Sequence, residues 1–423
     1  MENVIENKSW HYRVLLTGLL IFGLTLPLSK SISSVTIGLL YAYSFAIVAY
    51  DKNFRAMALR HVKQPLNISI ILFVLIALAR SLLSQNLLEG MSYVKQVSNL
   101  FTVYFFVAAF INSEVDEKRR IKNAENLLLF FLLGVLLLDI FGLLTYFGLI
   151  GHKKYVLPVT PLNMHHIWAG NLNALGIYVA AGLLLFSKNK IIPKSILGSL
   201  FLIIGISSVL LSTSRTAWMG IFVAVTVSIY FLIKDKRIYF IAAASVPVVC
   251  ASLYLLSDIV HTRINQVFGD FSLFFSGVTS TSTGLRLLMW KASLEIFLSN
   301  PLFGVGPGDY KSSISALVSA GRFPDSILKF NQPHNMYLFS LAATGLTGLC
   351  SLLFIFYKTL RFAGGLFANN QRNFGFLALA LSVHFLTAGM TESLLNIHVL
   401  TCSFALISGI CIRRSSINKI DQD

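Results

Sequence analysis

Long apolar runs follow one another along this chain, each bounded by charged or turn residues. A helix needs about 20 apolar residues to cross the ~30 Å hydrocarbon layer of a bilayer. Repeated runs of that length predict an all-α polytopic membrane protein. Composition points the same way, because only 12% of the 423 residues are charged. Soluble domains carry roughly 25%, so this chain lacks the charge to cover a water-exposed surface. That excludes a soluble enzyme, a disordered chain and a fibrous protein. A membrane β-barrel would show short alternating segments, and the runs here do not alternate.

About twelve transmembrane helices are expected, near 14–30, 34–50, 67–84, 97–112, 126–150, 172–187, 195–212, 215–233, 238–256, 335–357, 373–390 and 396–412. Lys and Arg collect in cytoplasmic loops. With a cytoplasmic N-terminus, 22 of the 34 basic residues fall on that side, at least three in every connection. Both termini are therefore expected in the cytoplasm. The net charge of +16 is mainly a topology signal, which argues against a nucleic-acid partner. Cys250, Cys350, Cys402 and Cys411 all lie in apolar runs without a Cys-x-x-Cys, so neither a disulfide framework nor a zinc site is expected. No cleavable signal peptide is evident.

One connection is long. Residues 257–334 form an outer segment between the ninth and tenth spans, and loops of that length are usually functional. Hydroxyl residues at Thr279–Thr283 predict a cap and a helix from about 285 to 298, stopped at Asn300-Pro301. Gly304–Gly308 reads as a turn, since it follows no strand and has no Lys-Ser/Thr. A short helix is expected from about 309 to 320, and Gln332-Pro333 restarts a helix, the tenth span. The expected organisation is one membrane domain, 1–423, with 257–334 inserted as an outer subdomain.

Three polar residues stand out at helix starts on that outer face. Arg215 follows the hydroxyl run Ser212–Ser214. A helix N-terminus with an added guanidinium makes an anion site, although an interfacial Arg can also simply snorkel to head groups. Arg286 sits in a helix's first turn among Leu285, Leu287 and Leu288, where it either binds an anion or covers the helix with its stem. His334 opens the tenth span, either as a neutral general base or as a helix cap. Together, two fixed cations and one base suit a hydroxyl nucleophile and an anionic leaving group, as a lipid-linked diphosphate sugar supplies. No Asp-x-Asp accompanies them, so no metal is expected. His152, His165 and His166 match no metal spacing and read as solvated loop residues. Lys153 and Lys154 are weaker candidates for attracting diphosphate. Arg80, Asp139 and His384 lie inside expected spans, where ionisable residues are either functional or paired with bundle neighbours.

From about Leu211 to Leu349 the chain resembles the O-antigen ligase and polymerase superfamily. The resemblance rests on Ser214-Arg215-Thr216-Ala217, Gly284-Leu285-Arg286 with Met289-Trp290, Asn300–Gly306, Pro333-His334-Asn335 with Tyr337-Leu338, and Gly345–Leu349. It implies a bundle similar to the C-type glycosyltransferases. It also implies inverting, metal-independent glycan transfer from undecaprenyl diphosphate on the periplasmic face of the bacterial inner membrane, without a cofactor. By position, Arg215 and Arg286 would grip the diphosphate and His334 would activate the acceptor hydroxyl, with Asn335 and Tyr337 as weaker candidates beside it. Many members carry an acidic residue in the tenth span, where this chain has Ala342-Ala343-Thr344. The chain length fits a ligase that joins O-antigen to lipid A–core. A polymerase of the same superfamily is the alternative. A flippase or transporter of lipid-linked sugar would show repeats and broken helices, and none is detected.

Overall fold

A computed structural model of the chain describes residues 2–114, 116–150, 157–186, 192–233 and 235–411. Among these residues the protein is helical and contains no strand. The helices are α1 (Glu2–Thr25), α2 (Lys30–Tyr50), α3 (Lys52–Val62), α4 (Pro65–Leu82), α5 (Leu87–Ser113), α6 (Glu117–Tyr146), α7 (His166–Phe186) and α8 (Ile192–Leu211). They continue as α9 (Arg215–Leu232), α10 (Lys236–Leu256), α11 (Asp258–Phe275), α12 (Ser282–Ser299), α13 (Tyr310–Ser319), α14 (Met336–Ala368), α15 (Arg372–Ala388) and α16 (His398–Cys411).

Each expected span falls on a helix. Among the described residues, eight helices are long and apolar enough to cross a membrane, namely α2, α4, α5, α6, α7, α9, α10 and α14; α8 and α16 hold shorter apolar stretches. This is a polytopic membrane protein. Short polar caps set several helix starts. Ser29, Asp116 and Asp235 accept backbone N–H bonds ahead of α2, α6 and α10. The core is built around α16, buried from Val399 to Cys411, and packed on α5 and α15. Phe356, Phe385 and Phe404 stack edge to face there. By contrast, α10 buries no residue and stands at the rim against α9 and α11.

The long connection is more helical than the sequence predicts. Helices α12 and α13 match the expected pair within three residues, but α11 was not expected. It follows α10 with only Ser257 between them, and Ser257 caps it by accepting from Val260 N. Its polar residues, among them His261, Arg263, Asn265 and Asp270, hide its period. A small second core, including Met289, Ile296, Tyr310 and Ile314, packs this region onto Phe339, Ala342 and Ala343 of α14.

The Gly304–Gly308 turn has a definite structural task. Helix α14 breaks at Gly345 (φ 67°, ψ −162°), a region open essentially to glycine alone. The break leaves backbone groups that need partners. Residues 301–306 supply them: Val305 N and Gly306 N donate to the carbonyls of Ala342 and Ala343, both at 2.9 Å, and Leu346 N donates to Pro301 O at 2.9 Å. A Cβ on Gly345 would sit 2.5 Å from the Leu302 carbonyl oxygen.

Candidate functional site

One end of the bundle gathers the starts of α7, α9, α12 and α14 with the end of α15. Ser214 caps α9 by accepting from Ala217 N at 3.3 Å, which places Arg215 at the first helical position. Arg215 Nη2 reaches Ser282 Oγ at 3.5 Å, at the start of α12. It lies within electrostatic reach of Arg286, Asp270 and Arg263. Arg286 comes one turn later in α12 than expected, because Thr281 caps that helix and Ser282 begins it. Burial presses the Arg286 guanidinium pKa down, and the charge of Glu392 opposes this. Thr283 ties α12 to α11 through Asp270 Oδ2 at 2.7 Å.

His334 is not inside α14. Asn335 is the N-cap, accepting from Tyr337 N and Leu338 N at 3.0 Å each, and His334 precedes it at φ 51°. His334 also has a direct partner. His334 Nδ1 lies 3.0 Å from both Glu392 oxygens, and the His334 side chain is 21% exposed against 2% for Glu392. The Nδ1–H donates to the carboxylate. That tautomer leaves Nε2 with a lone pair for an incoming proton. Trp290 Nε1 donates to the Pro333 carbonyl at 3.0 Å, which fixes the turn carrying His334 against α12.

His165 is an exposed residue just ahead of α7, as expected, whereas His166 is part-buried and opens that helix. The chain turns back at Pro161–Asn163 and sets both against the cluster. His166 Nδ1 donates to the Ser212 carbonyl at 2.9 Å. Burial pushes His165 below the ordinary histidine pKa; the Glu392 charge opposes that shift, while His334 and Arg286 add to it. Arg263 of α11 joins from the other side, donating to Thr213 Oγ1 at 2.9 Å.

The weaker candidates fall elsewhere. Lys153, Lys154 and His152 lie outside the described residues. Arg80 Nη2 donates to the Gly304 carbonyl at 2.8 Å and so braces the clasp on α14. Asn335 Nδ2 donates to Met390 O at 2.9 Å, and Tyr337 OH to Leu386 O, which pins α14 to the end of α15. His384 is paired inside the bundle, with Asn171 Oδ1 at 3.0 Å and Tyr178 OH at 2.9 Å. Asp139 is buried and lines a small cavity with Asn173 and Ser208.

Comparison with known proteins bears on the segment that carries most of these groups. Residues 200–353 match the family model described as O-antigen ligase. That segment is similar to the O-antigen ligase family. A curated relative, an uncharacterized protein of Haemophilus influenzae, is 28% identical over 196 residues, covering 45% of this chain. The match spans about half of that relative's length, 49%. The matched segment contains Arg215, Arg286 and His334, while Glu392 and His165 lie outside it. The sequence marked the three inside it and did not single out Glu392. A carboxylate does stand beside His334, that of Glu392, from the connection between α15 and α16.

Proposed function

We propose that the protein is an inverting glycosyltransferase that moves O-antigen polysaccharide from undecaprenyl diphosphate to lipid A–core on the periplasmic side of the inner membrane. The observation that carries the reading is the juxtaposition of the His334–Glu392 pair with the two guanidiniums Arg286 and Arg215. In this mechanism the acceptor hydroxyl gives its proton to His334 Nε2, and its oxygen attacks the anomeric carbon. The bond from that carbon to the diphosphate breaks on the opposite face, inverting the configuration. Glu392 stabilises the imidazolium that forms, as the acidic member of a hydrolase triad does. Arg215 and Arg286 hold the departing undecaprenyl diphosphate, each able to bind two phosphate oxygens. Part-buried guanidiniums also act more strongly there than they would in bulk water, and the reaction is expected to survive chelators. The family match over residues 200–353 supports ligase or polymerase chemistry in general.

A deletion strain tests the reading by lipopolysaccharide gel, with lipid-linked glycan assayed in parallel. Bare core and accumulated long lipid-linked polymer are expected. Core carrying a single repeat would instead assign a polymerase, and an unchanged ladder would overturn both.

A further inference from the structure

A second group of cations stands at the same end of the bundle, across the link that carries Glu392. That link, residues 389–397, joins α15 to α16. Near its start Thr391 Oγ1 meets Thr216 Oγ1 at 3.1 Å, beside Arg215. Glu392 follows and holds His334. Near its end Asn396 Nδ2 donates to Gln332 Oε1 at 3.3 Å, two residues before His398 opens α16. His398 lies within electrostatic reach of Lys30 and Lys95. Lys30 begins α2, and Lys95 lies in the third turn of α5. Gln96, next to Lys95, ties α5 to α16 by donating to Thr401 Oγ1 at 3.2 Å. The His334–Glu392 pair therefore stands between guanidiniums on the α9 side and ammoniums on the α16 side.

Both lysines are exposed. Among the described residues neither forms a salt bridge. Helices α2 and α16 carry no acidic residue. Glu89 of α5 accepts from Asn86 Nδ2 at 3.2 Å and lies six residues before Lys95, about 240° around the helix. Asp309, beside the start of α5, accepts from the backbone N–H groups of Gln85 and Asn86 at 2.9 and 3.1 Å. Glu392 is engaged by His334. The two ammoniums are thus left without a carboxylate, and a partner for them has to be anionic.

In an inverting transfer the nucleophile and the leaving group occupy opposite faces of the anomeric carbon. With the diphosphate on Arg215 and Arg286, the acceptor reaches His334 from the side of Lys30 and Lys95. A lysine ammonium is a compact charge on a flexible stem, which suits phosphates set at varied places on a sugar chain. His398 adds a ring N–H. Ile32, Val35 and Leu39 of α2 are exposed and offer acyl chains an apolar flank.

We propose that Lys30, Lys95 and His398 form an acceptor subsite that binds phosphate groups carried by the acceptor glycolipid. The inference rests on the transfer reaction proposed above and names how its second substrate is recognised.

Native mass spectrometry of the full-length protein tests the subsite by binding, without turnover. The probes are phosphorylated lipid A–core, the same glycolipid after phosphatase treatment, and phosphatidylglycerol. The phosphorylated glycolipid should bind at least roughly tenfold more tightly than the treated one, the effect of one charged hydrogen bond. Lys30→Gln and Lys95→Gln, both at exposed positions, should each weaken it by a similar factor and leave the treated glycolipid unchanged. Equal binding of the two glycolipids, or no effect of either substitution, would overturn the proposal. So would equal retention of phosphatidylglycerol, which would make the lysines general head-group anchors. Retention of the phosphorylated glycolipid through these lysines without any glycan transfer would refute the reaction and keep the subsite. Transfer with one KM for both glycolipids would do the reverse.

Discussion

His334 Nδ1 is equidistant, at 3.0 Å, from the two oxygens of Glu392, which follows it by 58 residues. A histidine held this way has one tautomer and one free nitrogen. His334→Ala should lower the rate of glycan transfer ~10²–10⁴-fold, the usual loss for a general base. Glu392→Gln should lower it ~10–100-fold. Its amide can donate to Nδ1 and thereby favour the tautomer with the proton on Nε2. Both are read from the transfer rate of purified protein with lipid-linked donor. Full activity in either variant would refute the assigned roles.

Arg215 and Arg286 differ from lysines at the same places by their planar fork of donors. Arg286→Lys and Arg215→Lys should each raise the KM for the lipid-linked donor roughly tenfold, about one charged hydrogen bond. The acceptor KM should stay unchanged. Donor and acceptor titrations separate the two; equal effects on both would place the arginines outside the diphosphate site.

His165 carries a pH signature. Its pKa is lowered in the folded protein, first by burial, so between the ordinary value of ~6.5 and its own lower value the unfolded chain binds a proton that the folded chain does not. Stability should therefore fall as pH drops through that window. His165→Gln should lessen the loss of melting temperature between about pH 7.5 and about pH 5.5. An identical loss in the variant would mean that other groups set the acid sensitivity.

Gly345 tests the clasp on α14. Gly345→Ala puts a side chain in a backbone region reserved for glycine and against the Leu302 carbonyl, a strain of at least ~1–3 kcal/mol. Thermal unfolding in detergent should show a clear drop in midpoint. No change would mean that the break in α14 relaxes without strain.

The residues legible in the sequence share a trait: each stands by a helix-start signal. Hydroxyls precede Arg215 and Arg286, and a proline precedes His334. Glu392 has no such mark. It lies in a short link between two apolar helices, and its partner is set by packing, which no spacing reveals. His165 is exposed as expected, and its nearness to Glu392, His334 and Arg286 is likewise set by packing. Helix α11 was missed because its polar residues mask a helical period and no break separates it from α10. The helices under the expected spans were legible because long apolar runs mark them, although among the described residues eight, not twelve, are long and apolar enough to cross a membrane.

The pairing of His334 with a carboxylate beyond α15 also bears on biogenesis. As α14 leaves the ribosome, its histidine has no anchor. The anchor arrives only when α15 has turned back along it and the Glu392 link has closed over Gln332 and Asn335. Under the proposed mechanism, a nascent chain halted before that hairpin inserts would hold Arg215 and Arg286 but lack an anchored base. Under that mechanism, the order of synthesis would withhold reactivity until α15 and the link after it are in place.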